Sequence, residues 1–239
     1  MKYIIQPLTV AVSLLVGAQA QAQEWNYSGS IYLFTAETTT GVGDQSATLS
    51  FSDALDNLDM AFMGAFEANN GQWGFIVDYM LTDIGFDDST PGTAFGDVDV
   101  SVKTQILTAY LTYRLYDTGT VKTDILGGAR WYDTKSTLRL SAGTSPSEQR
   151  QVSDSWTDPV IGARTTFAIN DKWWGGAMFD YGGMDDRETW QVLLTANYTF
   201  NDNWVASIGY RHIDVSNDED GRDYSFEQSG PIFGVRYSF

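Results

Sequence analysis

Apolar and polar residues alternate along most of this chain. Between Trp190 and Phe200, the residues Trp190, Val192, Leu194, Ala196, Tyr198 and Phe200 alternate with Gln191, Leu193, Thr195, Asn197 and Thr199. A period of two marks a β-strand whose faces meet unlike environments. The same period returns at Trp25–Leu33, Met60–Phe66, Trp73–Leu81, Leu107–Tyr113, Val121–Trp131, Pro159–Phe167, Trp173–Tyr181, Trp204–Tyr210 and Pro231–Phe239. That makes ten predicted strands, with eight the alternative if two weak segments near the front are misassigned. Short turn signals lie at Asn69–Gln72, Asp117–Gly119, Asn170–Lys172 and Asn201–Asn203, where Gly, Asn and Asp supply turn conformations. Long polar loops are expected up to about residue 52, over 85–101, over 141–153 and over 217–223, with a short helical turn or a loop over Asp53–Leu58. Pro159 counts against its strand, since proline removes a ladder donor.

The aromatic residues choose between a soluble sheet and a membrane barrel. The chain holds 8 Trp, 13 Tyr and 13 Phe, and every Trp falls near a predicted strand end. Trp25, Trp73, Trp173, Trp174 and Trp204 flank the short turns or the N-terminal side. Trp131, Trp156 and Trp190 lie toward the long loops. Rings of a soluble β-sandwich would fill a core at mid-strand. Two girdles of rings at strand ends instead fit the two interfaces of a bilayer. Trp190 and Phe200 would stand about 25 Å apart on a tilted strand, the height of a barrel's apolar band.

The opposite faces carry charge. Glu67, Asp78, Asp124, Asp158 and Asp180 are expected to face inward with Arg114, Lys122, Arg130, Arg164, Arg211 and Arg236. These five acids and six bases nearly cancel, as a narrow lumen requires, because an unpaired buried charge is costly. A barrel of eight to ten strands has room for side chains and little else. The interior therefore reads as a plugged salt-bridge network, with an ion path along those charges as the alternative.

Residues 1–22 read as an export signal: Lys2, an apolar run from Leu8 to Gly17, and overlapping small-x-small sites ending at Ala20 and Ala22. Residues 23–239 read as one barrel. No later apolar run is long enough for a membrane helix. The absence of Cys excludes disulfide and thiolate chemistry, and a lipid-modified Cys. With 14 Lys+Arg against 31 Asp+Glu the net charge is −17, and loss of Lys2 makes it one unit more negative. Such a surface does not recruit nucleic acid.

The final strand puts Phe239, Tyr237, Val235 and Phe233 on one face and closes the chain on an aromatic residue. It resembles the closing strand of small Gram-negative outer-membrane β-barrels, the group that includes the OmpA, OmpX and OmpW types. That resemblance implies an antiparallel transmembrane β-barrel and location in the outer membrane. It also implies contact with outer-membrane lipid and lipopolysaccharide, and recognition of the terminal aromatic signature by the barrel-assembly machinery.

Candidate chemistry is sparse. His212 is the single histidine and shares a strand face with Tyr210 and Asp214. Resemblance to outer-membrane lipid hydrolases or omptin proteases would imply a His–Ser or His–Asp motif. Arg211-His212-Ile213-Asp214 supplies only the in-phase pair. The expected role is therefore non-enzymatic, with acidic loops meeting the surroundings; a narrow channel and a lipid-modifying hydrolase are the alternatives. No cofactor is expected. Ser216–Glu227 partly matches a calcium loop, with Asp218, Asp220 and Glu227 as candidate ligands for a weakly held surface cation. Strands rather than helices flank it. Asp87, Asp88, Asp97 and Asp99 form a second acidic cluster of the same kind.

Overall fold

The computed structural model describes residues 24–42, 45–89, 93–219 and 222–239; the predicted leader, residues 1–22, lies outside them. Alternation becomes strands β1 (Asn26–Phe34), β2 (Glu37–Val42), β3 (Gln45–Leu49), β4 (Leu58–Asn69), β5 (Trp73–Ser89) and β6 (Phe95–Asp117). There follow β7 (Val121–Ala142), β8 (Glu148–Ala168), β9 (Trp173–Gly182), β10 (Arg187–Thr199), β11 (Trp204–Glu219) and β12 (Arg222–Ser238). One short helix, α1 (Phe51–Asp56), takes the first of the two forms expected near there and starts two residues earlier, capped by the Ser50 hydroxyl, which accepts from the Asp53 N–H.

The sheet runs β1-β4-β5-β6-β7-β8-β9-β10-β11-β12, every neighbour antiparallel, and β1 also pairs with β12. It is a closed ten-stranded antiparallel barrel. β2 and β3 form an added hairpin: β1 holds the lower part of β12, from Ile232 to Ser238, and β2 takes over from Tyr224 to Ser229. Pro231 sits at this handover, where its carbonyl accepts from Thr35 N–H at 2.9 Å. Pro159 is placed similarly. Its carbonyl accepts from Gly183 N–H at 3.1 Å, just past the end of β9, so its missing donor faces a ladder that has stopped.

The short-turn end repeats one device. Asn70 Oδ1 accepts from the N–H groups of Gln72 and Trp73 at 3.1 and 2.8 Å. Asn170 Oδ1 does the same for Lys172 and Trp173, both at 2.9 Å. Asn201 Oδ1 does it for Asn203 and Trp204, both at 3.0 Å. Each turn reads Asn-x-x-Trp, so the side chain that closes the turn also sets a Trp at the barrel's edge.

An apolar belt surrounds the wall. Ile31, Leu111, Ile161, Leu194 and Ile208 are exposed on its outer face, which a lipid-facing surface explains and a water-facing one does not. At the turn end, rings touch around the circumference: Tyr27 meets Phe66 and Phe239, Phe239 meets Tyr237, Tyr237 meets Trp204, and Trp173 meets Tyr198. Phe62, Tyr79, Trp190, Tyr181 and Tyr210 mark the other edge. Two Trp depart from the girdle expectation. Trp156 lies inward against Tyr132, ring centroids 4.9 Å apart, and Trp174 lies inward under Arg236. The reason is phase: Trp156 shares its face with Asp158, and Trp174 is one residue out of step with Trp173.

The expected long loops over 85–101, 141–153 and 217–223 are corrected to strand over most of their described residues. β5 and β6 run to Ser89 and from Phe95, β7 and β8 to Ala142 and from Glu148, and β11 and β12 to Glu219 and from Arg222. The first long loop likewise contains the β2–β3 hairpin. Ile84, Phe86, Val98, Val100, Val102, Leu138 and Leu140 alternate with polar residues and stay in phase with inward Met80, Ile106 and Tyr132. Composition marked these segments as loops; the weaker alternation inside them was the usable signal. Two tall walls result, β5–β8 and β11–β12 with β2–β3, separated where β9 and β10 end early at Gly182 and Arg187.

Candidate functional site

A polar crossbar spans the lumen at mid-height. Arg130 on β7 is fully buried and holds Asp180 on β9 through both carboxylate oxygens, at 2.8 and 2.9 Å. The same guanidinium donates to Thr108 at 3.1 Å, Thr189 at 3.0 Å and the Tyr110 hydroxyl at 2.9 Å. Tyr110 donates in turn to Asp180 at 2.6 Å. Gln191 donates to Tyr110 and Asp180, and its oxygen accepts from Arg211 at 3.1 and 2.9 Å. Arg211 then reaches Asp78 at 3.0 Å and the Tyr32 hydroxyl at 3.0 Å, and Tyr32 donates to Asp78 at 2.7 Å. This chain links seven strands and leaves each buried charge with a partner, the condition under which burial of ions is tolerated.

On the rim side of the crossbar an apolar layer fills the barrel, formed by Phe34, Met63, Met80, Ile106, Ile213 and Phe226 among others. Asp158, also fully buried, accepts from Arg187 at 2.9 Å and from the Trp156 indole at 3.0 Å. On the turn side the lumen opens into a vestibule of about 640 Å³. There Arg164 binds Glu67 through two bonds of 3.0 and 2.8 Å and Asp124 at 2.9 Å, while Arg114 bridges Asp124 and Asp117. Arg236 stands differently: its nearest carboxylate, on Glu67, is 4.0 Å away, and its guanidinium lies 4.9 Å from the Trp174 ring.

The structure thus gathers the sequence-predicted charges into two groups. Asp78, Arg130, Asp180 and Arg211 form the crossbar, and Asp158 lies beside it on the rim side. Glu67, Arg114, Asp124, Arg164 and Arg236 line the vestibule. Lys122 lies at the vestibule mouth, 45% exposed and 3.9 Å from Asp117. Sequence reasoning missed Tyr32, Thr189, Gln191 and Tyr132, whose hydroxyl lies 2.6 Å from that of Thr189, as crossbar parts, and Arg187 as the partner of Asp158. Tyr132 and Gln191 stand on the same strand faces as Arg130 and Leu193, so phase alone marked them as inward; their role needed the opposite wall.

His212 points out of the barrel. Its neighbours Arg211 and Ile213 are buried inside, and its ring lies 4.4 Å from that of Trp190. Nδ1 is 3.7 Å from Glu227, and Nε2 has no hydrogen-bond partner among the described residues. Phe233, Val235 and Tyr237 also face outward on the closing strand, each 40–45% exposed, and Phe239 just beyond it is 66% exposed. Of the candidate cation ligands, Asp220 and the side chain of Asp218 lie outside the described residues. The backbone there is an antiparallel pair, Asp218 opposite Asp223 and Glu227 opposite Asp214. Four registers, about 13 Å at strand spacing, thus separate Glu227 from the pair at Asp218. Asp87 stands opposite Asp99 across β5 and β6, and Asp99 is 3.2 Å from Arg139.

No protein-family model matches this chain, and no curated protein matches it in sequence. Solved structures do match. The outer-membrane protease OmpT of Escherichia coli superposes with a TM-score of 0.61 at 12% identity, over 90% of this chain and 97% of that one. Ail, the attachment invasion locus protein of Yersinia pestis, aligns at 15% identity with a TM-score of 0.40, over 90% and 98%. Neisserial surface protein A aligns at 16% identity with a TM-score of 0.37, over 90% and 97%. The fold is therefore that of the small outer-membrane β-barrels. At such identities the likeness speaks for architecture and carries no activity with it.

Proposed function

We propose that this protein is a non-enzymatic integral barrel of the bacterial outer membrane, closed to solute flow, which acts through its tall rim. The observation that carries this reading is the sealed lumen: a crossbar of buried, mutually bonded charges under an apolar layer. The turn end then faces the periplasm and the rim faces outward, as barrels with short periplasmic turns are oriented. From Trp131 at the outer girdle to the end of β7 at Ala142 the wall rises roughly 28 Å. That gives the protein a large strand-built surface above the lipid for contacts with lipopolysaccharide and the surroundings. The non-enzymatic part rests on His212, which faces the lipid side and whose Nε2 has no hydrogen-bond partner among the described residues.

The test is conductance. Purified protein in planar bilayers is expected to give no discrete steps, and regular single-channel openings would overturn the sealed reading. Lipid profiles of cells expressing the wild type and His212→Ala are expected to coincide. A lipid species made only by the wild type would instead reveal a hydrolase.

A further inference from the structure

We propose that the periplasm-facing vestibule is a binding site for a small amphipathic monocarboxylate, with Arg236 as its anchor. The orientation rests on the reading above, but the site itself does not. Glu67 spends both carboxylate oxygens on Arg164. The Arg236 guanidinium is left 4.0 Å from Glu67 and makes no side-chain hydrogen bond among the described residues. A guanidinium carries five N–H donors in a flat fork that fits two carboxylate oxygens. Here that fork is held against Trp174, 4.9 Å from the ring, which fixes its plane and gives it a cation–π contact.

Charge and shape both narrow the ligand. Glu67 stands close enough to repel a doubly charged anion, whereas one underused cation is matched by one negative charge. The vestibule, about 640 Å³, is of the size that holds small ligands. Ser30 lies opposite Arg236 in register, a small side chain beside the guanidinium, while Gly234, one inward step along the strand, is closely covered by Tyr32. Toward the crossbar the lining turns apolar at Ile76, Met178, Leu193 and Ile232. Ile232 is four residues from Arg236, about 13 Å along the strand. A carboxylate head at Arg236 and an aryl or short alkyl body toward Ile232 therefore satisfy both ends. The sealed crossbar makes this a dead-end site, loaded and emptied from the same side.

The experiment is fluorine NMR of para-fluorobenzoate with the full barrel in lipid nanodiscs, with empty nanodiscs as blank and para-fluorobenzyl alcohol as the neutral analogue. Saturable broadening of the acid and none of the alcohol is expected. Arg236→Gln, still heat-modifiable on a gel, is expected to weaken binding at least about tenfold, the loss of a charge-assisted pair. If that variant does not fold, Arg236→Lys carries the test: it keeps the charge, loses the fork, and is expected to weaken binding several-fold. Equal binding by the acid and the alcohol, or undiminished binding by a folded Arg236 variant, would overturn the proposal. Displacement of the acid by inorganic phosphate at lower concentration than by benzoate would overturn the monocarboxylate assignment.

Discussion

At the residue scale, Arg130 shows how the lumen accommodates a buried ion. It is an ion that would be ruinous alone, and five side chains make it acceptable: Asp180, Tyr110, Thr108, Thr189 and, through Tyr110, Gln191. Arg130→Met leaves Asp180 buried with its main partner gone. A loss of about 3–5 kcal/mol is expected, read as an earlier urea midpoint for the heat-modifiable band. Arg130→Met with Asp180→Asn is expected to lose less than the sum of the single changes, because the two groups form one coupled unit. Additive losses would mean that the pair does not act together. Half of this was readable beforehand. Arg130 and Asp180 stand at inward positions by phase, but their partnership joins residues 50 apart in sequence, and no local pattern encodes that.

At the scale of elements, close strand approach depends on particular glycines. Gly128 faces the lumen on β7, and a Cβ there would run into the Ala109 carbonyl and the Tyr110 backbone on β6. Gly127, its neighbour on the outer face, has nothing within 4 Å. Gly128→Ala is therefore expected to lower the yield of heat-modifiable barrel or its urea midpoint, while Gly127→Ala leaves both unchanged within about 0.5 kcal/mol. Equal behaviour of the two would show that β6 and β7 can part at no cost. The Asn-x-x-Trp turns belong to this scale as well. Their positions could be read from Asn, Asp and Gly, whereas the common Asn side-chain bonds appeared only with the backbone in place. The upper strands were hidden for the opposite reason. Asp, Ser and Thr on the water side of β5–β8 look like loop composition, although Val98, Val100 and Val102 keep strand phase between them.

For the whole molecule, closure and display are separable. β1 pairs with β12 directly, so the barrel is complete without the β2–β3 hairpin, which only continues the outer wall along β12. Replacing residues 37–49 by a short Gly-Ser linker is expected to leave a heat-modifiable, outer-membrane-localised barrel that still gives no conductance. If the variant conducts, the hairpin and not the crossbar is the seal. The vestibule is likewise a property of the whole: its walls come from strands at both ends of the sequence, and its free donor exists because Arg164 claims Glu67 from across the barrel, 97 residues away.

By itself the sequence determined the barrel strands at the level of the apolar band, their two faces, the four short turns, the even barrel count and the apolar belt. Each follows from period two and turn chemistry, which act over a few residues. Only the tertiary structure decided which inward charge meets which, that Trp156 and Trp174 serve the lumen, that the loops rise as walls, and that Arg236 is left with donors to spare. Those outcomes depend on what stands opposite once the sheet closes. Closure brings Arg211 to Asp78 across 133 residues of chain, a distance over which alternation carries no information.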